Sequence, residues 1–354
     1  MLTIGQEASL LTEINAGSDI WAVAFASNGE YLVSGGRNDV RVWRVEDGKQ
    51  MATLGARGVL CLAVSKDGRW IAVGACWGHV FVWDAKTYEK DFSHKDDDLT
   101  IYGVDFSPDS SRLVSASDNR TATIWNTTTR KRVQTLNHKR SAIAAKYSPQ
   151  GDRIVTATPD SVRVWDSNDG RVLVDIKVEV TPWYNTGLLW LDNHLFVLSD
   201  RNITQFEAST GSAVSEWPIF DISLLSSIAL PKHGKFIAYT TSNTVTLWDT
   251  STHAQLGRIQ HAQNVYSIVV SPDDHLLAIG GEGGKITINS LSHITVSVLS
   301  RWIVVHMNSR LAPIRRIQPL CQVYTPHSGN QTFRSTMLRS TLGSTINSQT
   351  RKYY

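Results

Sequence analysis

Residues 153–166 read RIVTATPDSVRVWD and contain the pattern from which the fold can be inferred. Apolar and polar side chains alternate on both sides of a short Pro-Asp turn, which is the period-two pattern of two adjacent β-strands. The same arrangement returns along the chain with a large residue, or its substitute, in the same phase: Trp43, Trp83, Trp125, Trp165, Phe206, Trp248 and Asn289. Successive members are 40 to 42 residues apart. A constant period of this length indicates a repeat architecture.

Each unit contains two further strands. An apolar stretch such as YGVDF (102–106) comes first, and a more polar one such as KRVQTL (131–136) comes last. The turns contain Gly, Pro, Asn and Asp, which tolerate or preset turn dihedrals. Four short strands form a sheet with two apolar faces, and packing such sheets around an axis buries those faces between neighbours. The sequence therefore predicts an all-β, seven-bladed β-propeller.

The two ends of the repeat region predict how the ring closes. The last unit stops after its third strand, ITINSL (286–291), while an isolated strand, ASLLTEI (8–14), precedes the first unit. Pairing these two segments would complete the last sheet and remove an open edge. We expect a propeller over residues 8–291 that is closed by the N-terminal strand.

The C-terminal segment 292–354 has a different composition. It contains eight Lys or Arg residues and no Asp or Glu, and it is rich in Ser and Thr. Low hydrophobicity with charge of one sign predicts an irregular, disordered tail. Two interpretations stay open: a basic arm that contacts nucleic acid or acidic partners, or unselected sequence such as a mispredicted final exon. The wide spacing of the basic residues favours the second.

Cysteine content and hydropathy bear on the compartment. The three cysteines are odd in number and far apart, which predicts no disulfide framework and favours an intracellular protein of the cytoplasm or nucleus. The N-terminus lacks the features of a secretory signal. No apolar run approaches the roughly 18 residues that cross a bilayer. We therefore expect no membrane association.

Three units end in Trp-Asp, at residues 83–84, 165–166 and 248–249. In period, strand order and this dipeptide the chain resembles the WD40 repeat family. The resemblance implies hydrogen-bond networks inside the blades, each formed by a His, a Ser or Thr, an Asp and the Trp. Residues of the fourth and third units that match this pattern are His138, Thr156, Asp160 and Trp165, then His94, Ser115 and Trp125. Because the pattern is incomplete in the other units, we expect most blades to depend on apolar packing.

The sequence contains no recognisable catalytic or metal motif. Gly-x-Ser-x-Gly, His-Glu-x-x-His and Cys-x-x-Cys are absent, and the glycine pairs lie in turns with no helix after them to bind phosphate. We expect no catalytic residue, metal, cofactor or small-molecule substrate. One enzyme alternative is a propeller hydrolase with a site in the central channel, for which the innermost strands offer mainly Asp105.

The leading hypothesis is a scaffold or adaptor subunit that binds other proteins or peptides. The loops that enter each blade, and those between its second and third strands, should lie on one face. Trp, Tyr and Arg dominate binding hot spots, and those on the predicted face are Trp77, Trp183, Tyr184, Arg57, Arg140 and Arg201. Trp77 or Trp183 could instead fill the interior, and the arginines could be solubilising charge. A nucleic-acid-associated propeller that uses the basic tail is the first alternative function.

Overall fold

The computed structural model describes residues 9–95, 98–180, 187–199, 201–219 and 226–292. These residues form seven antiparallel sheets of four strands each. Blade 1 contains β2 (Ile20–Phe25), β3 (Tyr31–Gly36), β4 (Val40–Arg44) and β5 (Gln50–Leu54). Blade 2 contains β6 (Val59–Val64), β7 (Trp70–Ala75), β8 (His79–Asp84) and β9 (Lys90–Lys95). Blade 3 contains β10 (Ile101–Phe106), β11 (Arg112–Ser117), β12 (Thr121–Asn126) and β13 (Arg132–Asn137).

Blade 4 contains β14 (Ala144–Tyr147), β15 (Arg153–Thr158), β16 (Ser161–Asp166) and β17 (Val172–Ile176). Blade 5 contains β18 (Leu188–Leu191), β19 (His194–Leu198), β20 (Asn202–Glu207) and β21 (Ala213–Pro218). Blade 6 contains β22 (Ile228–Ala229), β23 (Phe236–Thr240), β24 (Thr244–Asp249) and β25 (Gln255–Gln260). Blade 7 contains β26 (Val265–Val270), β27 (Leu276–Gly281), β28 (Lys285–Ser290) and β1 (Ser9–Asn15). Two 3-10 turns, Cys76–Gly78 and Glu282–Gly284, join second to third strands.

The ring is closed by the N-terminal strand, as the sequence predicts. Blade 7 has the order β1-β28-β27-β26, and Ile14 lies opposite Ile286 in the β1–β28 pair. The ammonium of Lys285 lies 2.8 Å from the Glu13 carboxylate across the same pair. The first strands of neighbouring blades contact one another around the whole ring, from β2 through β26 and back to β2. The chain therefore folds as a seven-bladed β-propeller.

Apolar packing between blades forms the core. Among the described residues, seven buried apolar clusters occur, and each combines side chains of two adjacent blades. Phe106 of blade 3 packs on blade 2, and Tyr147 of blade 4 packs on blade 3. Burial of these faces, at about 25 cal/mol per Å², is the main force that holds the ring together.

The interface between blades 1 and 2 is less completely filled. Val64 ends β6 where the corresponding strands of blades 1, 3 and 4 end in Phe25, Phe106 and Tyr147. A cavity of about 390 Å³, lined in part by Val64, Val33 and other apolar side chains, lies at this position. The smaller side chain explains the gap.

The turn between first and second strands has a repeated hydrogen-bond pattern. A buried serine accepts a hydrogen bond from the backbone N–H five residues later and donates to a nearby aspartate. The pairs are Ser65 with Asp67, Ser107 with Asp109, Ser148 with Asp152 and Ser271 with Asp273. The serine and the aspartate of these turns therefore have a structural role.

The C-terminal tail and membrane association were also the subject of predictions. The tail predicted over 292–354 lies, apart from Ser292, outside the described residues. Within the described part of the chain, no helix has the length and apolar character needed to cross a bilayer.

Candidate partner-binding site

Among the described residues, the indole of the third strand donates a buried hydrogen bond in three blades. Trp165 Nε1 donates to Thr156 Oγ1 at 2.7 Å, and Trp125 Nε1 donates to Ser115 Oγ at 2.9 Å. Sequence reasoning missed the third case, in which Trp43 Nε1 donates to Ser34 Oγ at 2.8 Å. In each case the Ser or Thr belongs to the second strand of the blade, two residues after the residue that lies opposite the Trp in the sheet. A search for Ser or Thr at that position would have found it.

The structure corrects the four-residue network predicted for blade 4. The His138 ring meets Trp165 edge-on at 5.1 Å, but neither ring nitrogen has a hydrogen-bond partner. Burial lowers the pKa of His138 to about 4, so the ring is neutral at pH 7. Asp160 is exposed; it accepts a hydrogen bond from Thr158 Oγ1 at 2.9 Å and pairs with Arg140 at 3.2 Å. The tight turn directs Asp160 outward, away from the indole.

His94 also differs from the family pattern. It belongs to β9 of blade 2 and stacks on Trp125 of blade 3, with ring centroids 4.2 Å apart. Its Nε2 lies 2.7 Å from the carbonyl oxygen of Arg130. His94 therefore joins two blades, whereas the Ser115–Trp125 bond lies inside one blade.

The six residues predicted to bind a partner have different positions. Trp183 and Tyr184 lie outside the described residues. Arg140 precedes β14 and pairs with Asp160, and Arg201 lies exposed in the turn before β20. Arg57 and Trp77 come together at one groove between blades 1 and 2.

We define the Trp77 groove as the depression lined by Asn38, Arg57, Trp77, His79 and Phe81 together with smaller neighbours. Its volume is about 520 Å³. The Trp77 side chain is 62% exposed, so it does not fill the interior. The rings of His79 and Phe81 stack at 5.1 Å and form part of the wall. The groove therefore presents aromatic surface to solvent.

Backbone hydrogen bonds hold the two loops of the groove together. Gly58 N–H donates to the Arg37 carbonyl at 3.0 Å, and Cys76 N–H donates to the Gly58 carbonyl at 2.9 Å. Gly58 has a φ of +63°, and a Cβ there would lie 3.3 Å from Cys76 Sγ and 3.6 Å from Trp77 Cζ3. Glycine thus allows the loop before β6 to lie against the turn that carries Trp77.

Trp77 occupies a strained backbone conformation. Its φ is 60° and its ψ is 29°, in the left-handed region. In the matching turn of blade 7, Gly283 has a φ of +71°. A non-glycine residue there costs roughly 1–2 kcal/mol, and a bulky one is an outlier. Other described non-glycine residues, among them Tyr88 and Arg130, also have a positive φ, so it is the exposed indole that distinguishes Trp77.

The central channel contains a larger cavity on the opposite face. Residues from all seven blades line its volume of about 870 Å³, including Asp105. The Asp105 carboxylate accepts a hydrogen bond from Tyr147 N–H at 2.8 Å and lies 3.3 Å from the Lys146 ammonium. It therefore connects blades 3 and 4. Within the described part of the chain, no three His, Cys, Asp or Glu side chains are close enough to hold a metal ion.

Comparison with known proteins agrees with this architecture. The family described as "WD domain, G-beta repeat" matches residues 9–44, 48–84, 87–126, 130–166 and 254–288. The chain belongs to the WD40 repeat family. The unmatched stretch contains blade 5, in which Phe206 stands in place of the Trp.

Curated relatives of this WD40 protein include regulators of gene expression. It is 23% identical to the transcription factor unc-37 of Caenorhabditis elegans, over 79% of this chain and 48% of that protein. It is 22% identical to the Arabidopsis thaliana transcriptional corepressor LEUNIG_HOMOLOG, over 63% of this chain and 29% of that one. WD repeat-containing protein 1 of Gallus gallus is 40% identical over 23% of this chain and 14% of its own length. The chain thus spans about half the length of these relatives or less.

Proposed function

We propose that this WD40 propeller is a non-catalytic scaffold or adaptor subunit of an intracellular multiprotein complex, in the nucleus or cytoplasm. The observation that carries the proposal is Trp77, an exposed aromatic side chain on a strained turn beside Arg57. Trp and Arg are the residues most enriched in binding hot spots. Arg140 and Arg201 extend the proposed binding face, and Trp183 and Tyr184 stay predictions.

Two further points support a binding role. Backbone hydrogen bonds hold the Gly58 loop against the Cys76 turn, and a preorganised surface lowers the entropic cost of association. Asp105, the carboxylate considered for a hydrolase, is already bound by backbone and lysine groups of blade 4. The names of relatives, a transcription factor and a transcriptional corepressor, are consistent with a subunit of a larger assembly.

Affinity capture of the tagged chain from cells, followed by mass spectrometry, tests the proposal. The double variant Trp77→Ala/Arg57→Ala should lose a reproducible subset of partners, with a wild-type circular dichroism spectrum. Val133→Ala is the matched control, because Val133 is also an exposed apolar residue but lies on the outer strand of blade 3. An identical set of partners for the wild type and the folded double variant would refute a role for this groove.

A further inference from the structure

The charges around the Trp77 groove are unevenly balanced. Arg37 and Arg57 are exposed beside it, and neither forms an ion pair with any of the described residues. Asp39, the groove's acid, already accepts hydrogen bonds from the Arg41 guanidinium at 2.9 and 3.1 Å. Arg57 in the lining of the groove, and Arg37 next to the lining residue Asn38, are therefore two guanidinium groups without a carboxylate partner among the described residues.

Several other arginines of the propeller are paired with a carboxylate. Arg44 pairs with Asp47, Arg130 pairs with Asp91 at 2.5 Å, and Arg140 pairs with Asp160 at 3.2 Å. Guanidinium groups bind carboxylates in strong, directed, often bidentate hydrogen bonds. Arg37 and Arg57 remain available for such bonds with a partner.

The apolar part of the groove adds a second recognition element. Trp77, Phe81 and Ala56 line it, and its volume of about 520 Å³ has room for a few side chains but not for a folded domain. An aromatic or branched apolar side chain packed on Trp77 would gain contact area and exclude water around the ion pairs. The occupant should therefore combine negative charge with an apolar anchor.

The overall charge of the propeller argues against nucleic acid as the partner. Residues 1–291 contain 27 basic and 32 acidic side chains, a net charge of 27 − 32 = −5. Binding to nucleic acid gains affinity from each phosphate that a Lys or Arg side chain neutralises. Two arginines on a mildly acidic body provide few such contacts, whereas each can pair with a carboxylate of a short peptide.

We propose that the Trp77 groove binds a short acidic segment of a partner protein, with an apolar side chain on Trp77 and carboxylates on Arg37 and Arg57. This inference rests on the proposed scaffold function and names its partner class.

Charge reversal by Arg37→Glu/Arg57→Glu should abolish binding of an acidic peptide and create binding of the corresponding basic one. Trp77→Gly should relieve the backbone strain and raise Tm, while peptide affinity falls by at least about tenfold.

Fluorescence anisotropy tests this with three labelled peptide libraries: acidic with one fixed Phe, acidic without an aromatic residue, and basic with the same Phe. The wild type should bind the first at least about tenfold more tightly than the others, and high salt should weaken that binding. Lys49→Glu/Lys131→Glu is the matched control: it makes the same charge change at exposed lysines in turns between third and fourth strands, and should bind as the wild type does.

Each other outcome has a definite meaning. Equal binding of acidic and basic libraries, or equal loss in the lysine control, would overturn the proposed partner class. Tighter, Arg57-dependent binding of a single-stranded oligonucleotide would replace it with nucleic acid. If the acidic library fails while Trp77→Ala/Arg57→Ala still loses captured partners, the scaffold function stands and only the acidic specificity is refuted.

Discussion

Replacing Thr156 by Val tests how much the buried indole bonds stabilise the blades. Thr156 Oγ1 accepts the shortest of the three, 2.7 Å from Trp165 Nε1, and Thr156 is fully buried. Valine has nearly the same shape, so the substitution removes the acceptor and leaves little cavity. The Trp165 N–H would then be buried without a partner.

The expected loss follows from the cost of such an orphaned donor. An unsatisfied buried polar group costs about 1–3 kcal/mol, and burying a methyl group in place of the hydroxyl offsets part of that. We expect the free energy of unfolding to fall by about 1–2 kcal/mol. With an unfolding entropy near 2.1 cal/mol/K per residue, this lowers the Tm of a domain of this size by about 2–3 °C.

A double-mutant cycle isolates the hydrogen bond from other effects. Trp165→Phe removes the donor, so Thr156→Val should cost little or nothing in that background. Thermal and urea unfolding of the four proteins, followed by circular dichroism, measures each step. If Thr156→Val cost as much beside Phe as beside Trp, the loss would come from packing, and the reasoning about the bond would be wrong.

Three further predictions concern the closing strand, a buried imidazole and a cavity. Ile14→Ala in β1 should lower the free energy of unfolding, measured with urea, by about 2–5 kcal/mol. The control Leu10→Ala, at a site 54% exposed, should change it by less than about 0.5 kcal/mol. Equal effects of the two substitutions would argue against closure of the ring by this strand. His138 has a folded-state pKa of about 4 against 6.5 unfolded, so the wild type should lose stability as pH falls through that interval, and His138→Leu should lose less; parallel pH profiles would contradict this. Val64→Phe should raise Tm by filling the gap between blades 1 and 2. Val73→Phe, at a fully buried site, should lower the free energy of unfolding by about 1–3 kcal/mol. Similar losses for both substitutions would show that the cavity cannot accommodate a phenylalanine ring.

Strand positions were predictable because they depend on local patterns. Alternation in RIVTAT and SVRVW places alternate side chains on opposite faces, and β15 and β16 form where that alternation predicts. Ring closure was predictable for a related reason. The last unit has a third strand but no fourth, and the N-terminal strand belongs to no other unit. Each is therefore the available pairing partner of the other.

The hydrogen-bond partners of polar side chains were harder to predict. The family pattern led to a network that included His138 and Asp160, yet only the Thr156–Trp165 bond forms. A two-residue turn leaves little freedom, and Asp160 bonds within its own turn. Sequence spacing shows which residues are near one another but not the direction in which each side chain points.

The number of blades, their strand order and the closure of the ring follow from the amino-acid sequence, because the burial of alternating apolar side chains is set within each unit of about 40 residues and then repeats. Only the tertiary structure decided that Arg57 and Trp77 share one groove and that Trp77 points outward in a left-handed turn. The physical reason is that these features arise where two blades meet. Hydrogen bonds between the loop at Gly58 and the turn at Cys76 fix the backbone there, and no local pattern encodes that contact.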